Sequence, residues 1–165
     1  MAETKVQFAQ KAVIIEAGKI LLIRKGAGDP YQPLKWEIPG GRLESGESLD
    51  EHIKREVREE VGLEIEAHEP LAIWSWTLNT RAEVLTVVAV SRRCSALTTD
   101  ISLQSEGDCI VESNWVDLSD VRHVDLIPNA RAAILESIEL VRRRTTPHGP
   151  GGDTYIRPAD RRVPQ

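Results

Sequence analysis

Glutamates crowd one stretch of this chain. Glu47, Glu51, Glu56, Glu59 and Glu60 all lie in "GRLESGESLDEHIKREVREEVGL", residues 41 to 63. Like charges at helical spacing repel by about a few tenths of a kcal/mol per pair, so the cluster calls for a physical reason. At roughly 100° per residue, Glu56 and Glu60 are i and i+4 and stack along one side of a helix. They fall beside Ile53 and Leu49, at the rim of an apolar stripe, with Glu59 roughly 60° further round. A purely solvated face would sit opposite that stripe. Carboxylates sheltered against a core either raise their pKa values or bind a cation, and oxygen ligands of this hardness suit Mg²⁺ or Mn²⁺. Arg55 is i, i+4 to Glu59 and within reach of Glu47, so it can orient a carboxylate without competing for a metal. Gly40 and Gly41 let the backbone approach the helix closely, which offers a carbonyl as a further ligand.

The helix carrying these groups has its own start and stop signals. Ser48 followed by Glu51 is a capping box, and Gly62 stands where a C-terminal cap is expected. The helix therefore runs from about residue 48 to 61, with Leu49, Ile53, Val57 and Val61 as its buried stripe. Upstream, "KAVIIEAGKILLIRK" (11–25) reads as a hairpin turned at "EAG". "GAGDPYQP" (26–33) reads as loop, and "LKWEIPGGR" (34–42) as a short strand broken by Pro39 and two glycines. Downstream, strand-like runs occupy 64–78, 84–92 and 109–117. The first two are joined by "NTRAE", and "TTDISLQSEGD" (98–108) is a polar loop. "LIPNARAAILESIELVRRR" (126–144) reads as a second helix beginning near Pro128, with Ala132, Leu135, Ile138 and Val141 on its apolar face. Strands and helices mix without regular βαβ alternation, so the fold class is α/β, a mixed sheet covered by helices on two sides. Residues 145–165 are rich in Pro, Gly and Arg and read as a tail outside the domain.

A chain of 165 residues fits one domain with a single core region. Its net charge of −5 speaks against nucleic acid as a partner. It is compatible with a small anionic substrate, because a bound divalent metal reverses the local field. Cys94 and Cys109 have no metal-type spacing. The opening "MAETKVQFAQ" lacks the apolar core of a signal peptide. No apolar run approaches the ~20 residues needed to span a bilayer. These features read as a cytoplasmic protein with no membrane partner.

The spacing of the acidic stretch also matches a known pattern. Gly41, Glu47, Arg55, Glu56, Glu59, Glu60 and Gly62, with Val57 and Leu63 at the bulky aliphatic positions, fit G-x5-E-x7-R-E-U-x-E-E-x-G-U throughout. The chain thus resembles the Nudix family. "KWEIPGG" before the box and "ESNWVDLSDV" after it also look like that family's flanking segments, so the resemblance covers most of residues 11 to 143. It implies a Nudix fold over residues 1–144: an α/β/α sandwich with a mixed β-sheet and the box as a loop-helix-loop. It implies a hydrolase that cleaves a phosphoanhydride bond of a nucleoside diphosphate derivative with a divalent metal. Carried over by position, Glu56 and Glu60 are the core metal ligands, and Glu59 is a further ligand, direct or through water. The Gly40 carbonyl is an added ligand, while Glu47 and Arg55 support. Glu56 or Glu59 is favoured as general base, with Glu106 and Glu112 as distal alternatives. Glu112, near Trp115, is the better of those two and also a candidate ligand.

Substrate residues are expected outside the box. Arg24 resembles a phosphate-contacting arginine of the nucleoside-triphosphate branch. Tyr31, Trp36, Trp74 and Trp76 offer flat faces on which a base can stack, and Trp74 and Trp76 share one strand face. Core packing is the expected role of Trp115 and the stronger expectation for Trp36. The downstream motif SQPWPxPxS of the NADH-cleaving branch is absent. So is the proline or tyrosine that marks the ADP-ribose and dinucleoside-polyphosphate branches. The default is therefore a MutT-like (d)NTP pyrophosphohydrolase. The alternatives are an ADP-ribose or nucleotide-sugar hydrolase and, from another class, a non-catalytic Nudix-fold nucleotide sensor. The partner is a small nucleotide, and the resemblance allows a homodimer.

Overall fold

A computed structural model describes residues 4–79, 83–103 and 109–145. In chain order the elements are β1 (Thr4–Glu16), β2 (Lys19–Lys25), β3 (Trp36–Glu37), α1 (Leu49–Val61), β4 (Ile65–Asn79), β5 (Val84–Ala96), β6 (Ile110–Asp117), a single 3₁₀ turn (Val121–His123) and α2 (Pro128–Thr145). Among the described residues no helix is long and apolar enough to cross a membrane. Most of the tail, residues 146–165, lies outside the described residues, as do 80–82 of the "NTRAE" linker.

The sheet is mixed and it opens like a wedge. Ala17 and Gly18 both have positive φ, 47° and 77°, which is what a two-residue hairpin turn requires. Yet β1 and β2 pair only at Ile15–Ile20 and Glu16–Lys19 beside that turn. Beyond it they diverge. β2 continues against β3 on one edge and β6 on the other. β1 runs parallel to β5 from Thr4–Val84 to Ile14–Cys94, and β5 pairs antiparallel with β4. The segment after β3 fills the wedge. Gln10 N–H donates to Gly41 O at 3.0 Å, Ala12 N–H to Pro39 O at 2.7 Å, and Leu43 N–H to Phe8 O at 2.9 Å.

Side chains alternate across the strands and feed two cores. Ile20 and Leu22 pack with Val13, Ile134 and Ile138 under α2. Leu21 and Ile23 pack with Ile53, Val57 and Val61 under α1. The helices therefore cover opposite faces, giving the α/β/α layering expected from the sequence.

Several boundaries differ from the sequence reading. β1 starts at Thr4 rather than 11, and β5 runs to Ala96 rather than 92. The two strands support each other along this whole length, so the polar Gln7, Gln10 and Lys11 do not end β1. The expected strand at 34–42 shrinks to Trp36–Glu37, because Pro39 has no N–H and Gly40 adopts φ 130°. Leu49 is 48% exposed and His52 takes its place in the buried set. On α2, Ala132 is exposed; Ala130, Ala133, Ile134, Ser137, Ile138 and Val141 are buried instead. Ser137 explains that rotation: its hydroxyl donates to Ala133 O at 2.6 Å and sits 2.7 Å from Ser91 Oγ in β5.

Candidate active site

The acidic helix is fixed at both ends. Ser48 N–H donates to Glu51 Oε2 at 2.8 Å, and Glu51 N–H to Ser48 Oγ at 3.3 Å. Gly62 closes the helix at φ 71°, with its N–H on Arg58 O. Ile53, Val57 and Val61 then set its rotation on the sheet. That rotation aims the row His52, Glu56, Glu60 at the seam where Gly40 and Gly41 lie against β1.

The two glycines make room there in different ways. A Cβ on Gly40 would come 2.2 Å from Gln10 O, and one on Gly41 would come 2.6 Å from a Glu56 carboxylate oxygen. At Gly40 a side chain would meet fixed backbone, whereas at Gly41 it would push the flexible Glu56 carboxylate out of its place. His52, unmarked by the sequence reading, locks the arrangement. The Gln10 side-chain amide donates to His52 Nδ1 at 2.9 Å and to Leu49 O at 2.7 Å. The imidazole proton is thereby placed on Nε2, which donates to Gly41 O at 3.1 Å. Burial holds the His52 pKa below its ordinary value, so the ring is neutral.

The carboxylates divide into two groups. Arg55 grips Glu47 through two bonds, Nε to Oε2 at 2.9 Å and a terminal nitrogen to Oε1 at 2.8 Å. Glu44 N–H adds a third at 2.8 Å. These bonds, led by the guanidinium, hold the Glu47 pKa down at about 2. The other terminal nitrogen of Arg55 reaches Glu56 at 3.1 Å and Glu59 at 3.0 Å. The Glu59 side chain is 59% exposed and that of Glu56 only 14%. Burial raises the Glu56 pKa against the lowering effect of Arg55. Glu60 is perturbed furthest. Burial pushes its pKa up to about 8, although Lys11 and the Gly40 N–H, donating at 2.8 Å, both oppose the rise.

Glu60 opens onto a cleft of about 370 Å³, a size typical of small-molecule sites. One end is charged. Lys11 bonds Gly40 O at 2.6 Å and Glu37 at 2.8 Å; Lys25 lies 3.3 Å from Glu37 and 3.0 Å from Asp29. The other end is apolar, walled by Trp74, Trp76, Leu78 and Val87. The Trp74 and Trp76 rings stack at 6.5 Å and 25°. Tyr31 lines the cleft while half exposed, and Asn129 of α2 lines it too.

Of the expected site residues, Tyr31, Gly40, Glu60, Trp74 and Trp76 line the cleft; Glu47, Arg55, Glu56 and Glu59 stand beside Glu60 on or next to α1 without lining it, and Arg24, Trp36 and Glu112 are brought to neither place. Arg24 shares the α2-facing side of β2 with Leu22, and its partner on β6 is Glu112. Arg24 donates to Glu112 at 3.3 Å and to Leu34 O at 3.1 Å, and its guanidinium lies 5.9 Å from the Trp36 ring centroid. Trp36 packs into the core under α2. Strand alternation thus carries Arg24, Trp36 and Glu112 away from the box carboxylates. Glu106 lies outside the described residues. In the other direction, sequence reasoning missed Lys11, Lys25, Glu37, His52 and Asn129. Only His52 had a signal, as the residue four before Glu56.

The oxygen donors suit a hard divalent cation, although the side chains as they stand do not enclose one. Among the described residues no three His, Cys, Asp or Glu side chains form a closed metal cluster. Arg55 engages Glu56 and Glu59, and Lys11 engages Gly40 O. The fit is one of chemistry: two half-buried carboxylates with raised pKa values, close to a backbone carbonyl, form a donor set that a cation would relieve.

A mixed sheet between two helices, with an acidic helix docked on a glycine pair beside an open cleft, is the architecture of the Nudix fold. The NUDIX domain model matches residues 7–141, and the chain belongs to the Nudix pyrophosphohydrolase family. It is 28% identical over 131 residues to the nucleoside triphosphatase NudI of Klebsiella pneumoniae strain 342, covering 74% of this chain and 89% of that one. Its fold matches the MutT protein of Methanosarcina mazei with a TM-score of 0.70 at 23% identity, over 88% of this chain and 99% of that one. It also matches an ADP-ribose pyrophosphatase of Streptococcus suis with a TM-score of 0.61 at 24% identity, over 86% and 94%.

Proposed function

We propose that this chain is a Mg²⁺- or Mn²⁺-dependent pyrophosphohydrolase that cleaves a phosphoanhydride bond of a (d)NTP. The observation that carries this reading is the join of two unlike halves in one cleft. Half-buried Glu60 and the Lys11–Glu37–Lys25 chain stand at one end, and the stacked Trp74 and Trp76 at the other. A nucleotide has the same polarity, phosphates at one end and a flat base at the other. The similarity to a nucleoside triphosphatase favours a triphosphate over ADP-ribose or a nucleotide sugar.

In this reading Glu56, Glu60 and the Gly40 carbonyl hold the metal, with Glu59 beside them. When bound, the metal supplies charge neutralisation of the phosphates and acidification of the attacking water. The chain's own groups do the rest. Arg55 is the positioning residue that fixes Glu56 and Glu59 at 3.1 and 3.0 Å. Glu56 or Glu59, both held by Arg55, accepts the water's proton. Lys25 places positive charge beside the phosphates. Trp74, Trp76 and Tyr31 take the base, where stacking is worth about 1–3 kcal/mol per base.

The test is coupled release of phosphate or pyrophosphate from a panel of (d)NTPs, oxidised nucleotides, ADP-ribose and nucleotide sugars, with Mg²⁺ and with Mn²⁺. Highest kcat/KM on a (d)NTP supports the reading. Preference for ADP-ribose or a sugar nucleotide reassigns the substrate. Nucleotide-induced thermal stabilisation without turnover, from neutral to alkaline pH, replaces the enzyme by a sensor.

A further inference from the structure

An ammonium group stands inside the expected ligand set. Lys11 Nζ lies 2.6 Å from Gly40 O, the one backbone atom assigned to the metal. The contact is built into the fold. Gly40 has no room for a Cβ, which would come 2.9 Å from Lys11 Cα, so the Gly40 peptide rests directly on the backbone of β1. Lys11 is buried. The residues on either side of it along its face of β1, Ala9 and Val13, are apolar and buried, so an apolar side chain would suit the position by packing alone.

The ion pair with Glu37 does not account for Lys11. Glu37 already has a second cation, since Lys25 Nζ lies 3.3 Å from its other oxygen. The charge of Lys11 also reaches the box. It lowers the pKa of both Glu56 and Glu60, against the burial that raises them. The ammonium therefore holds the carbonyl and sits in the field of two carboxylates that a divalent cation would use.

We propose that Lys11 is a built-in cation of the metal site: it holds the Gly40 carbonyl and screens Glu56 and Glu60 in the metal-free protein, and a divalent metal must take that carbonyl from it. This rests on the reading of Glu56, Glu60 and Gly40 as a metal site. Lys11 then does two opposite things. It stabilises the empty site, and it weakens metal binding by holding a ligand and by like-charge repulsion.

The experiment measures Mn²⁺ affinity directly, by the electron paramagnetic resonance of free Mn²⁺ and by calorimetry. It uses the full chain as wild type, Lys11→Met, Lys11→Arg, Glu37→Gln and the double variant Lys11→Met/Glu37→Gln. The double variant covers the case in which Lys11→Met fails to fold because Glu37 has lost a partner. Removing the ammonium should tighten Mn²⁺ binding by about tenfold or more, in Lys11→Met against wild type and in the double variant against Glu37→Gln. Lys11→Arg, which keeps the charge, should stay within about threefold of wild type. In chelator, Lys11→Met should melt below wild type, and saturating Mn²⁺ should raise its melting temperature by more than it raises that of wild type. Unchanged or weaker Mn²⁺ binding in both Lys11→Met backgrounds, with a melting deficit that Mn²⁺ leaves in place, would reduce Lys11 to a structural ion pair and overturn the proposal. Failure of every variant, wild type included, to bind Mn²⁺ would overturn it together with the metal site it rests on.

Discussion

Two cations serve the same acidic helix, and they do so differently. Arg55 works at the rim, where it binds Glu47 through a fork and touches Glu56 and Glu59. Lys11 works at the floor, where it holds a carbonyl and faces Glu56 and Glu60 across a shorter supply of water. At the rim the Glu47 pKa falls to about 2, whereas at the floor that of Glu60 rises to about 8. Both glutamates have a cation nearby, so proximity does not decide the sign. Contact geometry does: a bidentate guanidinium bonded to Glu47 outweighs its desolvation, while Lys11, acting on Glu60 through its charge alone, does not. The rim is ionised and fixed, and the floor favours the protonated form.

The sharpest way to break this contrast is Glu60→Gln. It should lower kcat about a thousandfold or more if Glu60 is a floor ligand, with the helix cap and the stripe under α1 keeping the circular dichroism native. Full activity in this variant would remove the floor from the mechanism. Glu59→Gln should cost less than Glu56→Gln, in line with their exposure. Arg55→Ala tests the rim as a positioning device, with an expected loss of about 10- to 100-fold in activity. A loss as large as that of Glu60→Gln would erase the distinction between the two regions.

Stability sharpens the same comparison without substrate. Glu60 takes up a proton more readily in the folded state than in the unfolded chain, where its pKa is near 4.5. Between about pH 4.5 and 8 the folded protein therefore holds more protons. Its stability should be full at the acid end of this window and fall as pH rises through it. In chelator the loss should amount to a few kcal/mol at most (about 1.4 kcal/mol per pKa unit) and disappear in Glu60→Gln. Glu47 has the opposite sign. Its lowered pKa makes a contribution that is present above about pH 4.5 and lost as pH falls toward 2. Thermal melts across pH separate the two. Ser48→Ala should cost about 1 kcal/mol of stability and leave kcat alone, since Ser48 only caps the helix. The smallest effect is expected at Arg24→Met, with kcat/KM within about twofold of wild type, because exposed ion pairs such as Arg24–Glu112 contribute little. A large loss there would return Arg24 to the substrate site.

Legibility followed how local the signal was. The acidic helix was readable nearly to the residue, because capping box, stripe and glycine cap all lie within one segment. Its rotation was less so. Four-residue spacing selected Leu49, but the helix begins there with Leu49 turned 48% exposed, and His52 fills the buried position against Gln10 of β1. The length of β1 was not readable, since Gln10 and Lys11 look like surface residues until β5 and the glycine loop are placed beside them. The same held for Arg24, Trp36 and Glu112. Their types suit phosphate, base and metal, but alternation along β2, β3 and β6 packs Trp36 under α2 and pairs Arg24 with Glu112 on that same side of the sheet. Residue type identified the chemistry, while strand register decided which residues take part.

The parallel pairing of β1 with β5 has a consequence for how the protein comes into being. Thr4 pairs with Val84 and Ile14 with Cys94, so the first strand finds its main neighbour only after most of the domain has been synthesised. Closing so long a loop is entropically costly and slow. Until it closes, α1 has its cap and its apolar stripe but no completed sheet to lie on. A nascent chain that stops short of Val84 would carry every glutamate of the box and still lack a site. Assembly of the carboxylates is thus a late event, tied to the emergence of a strand that contributes none of them.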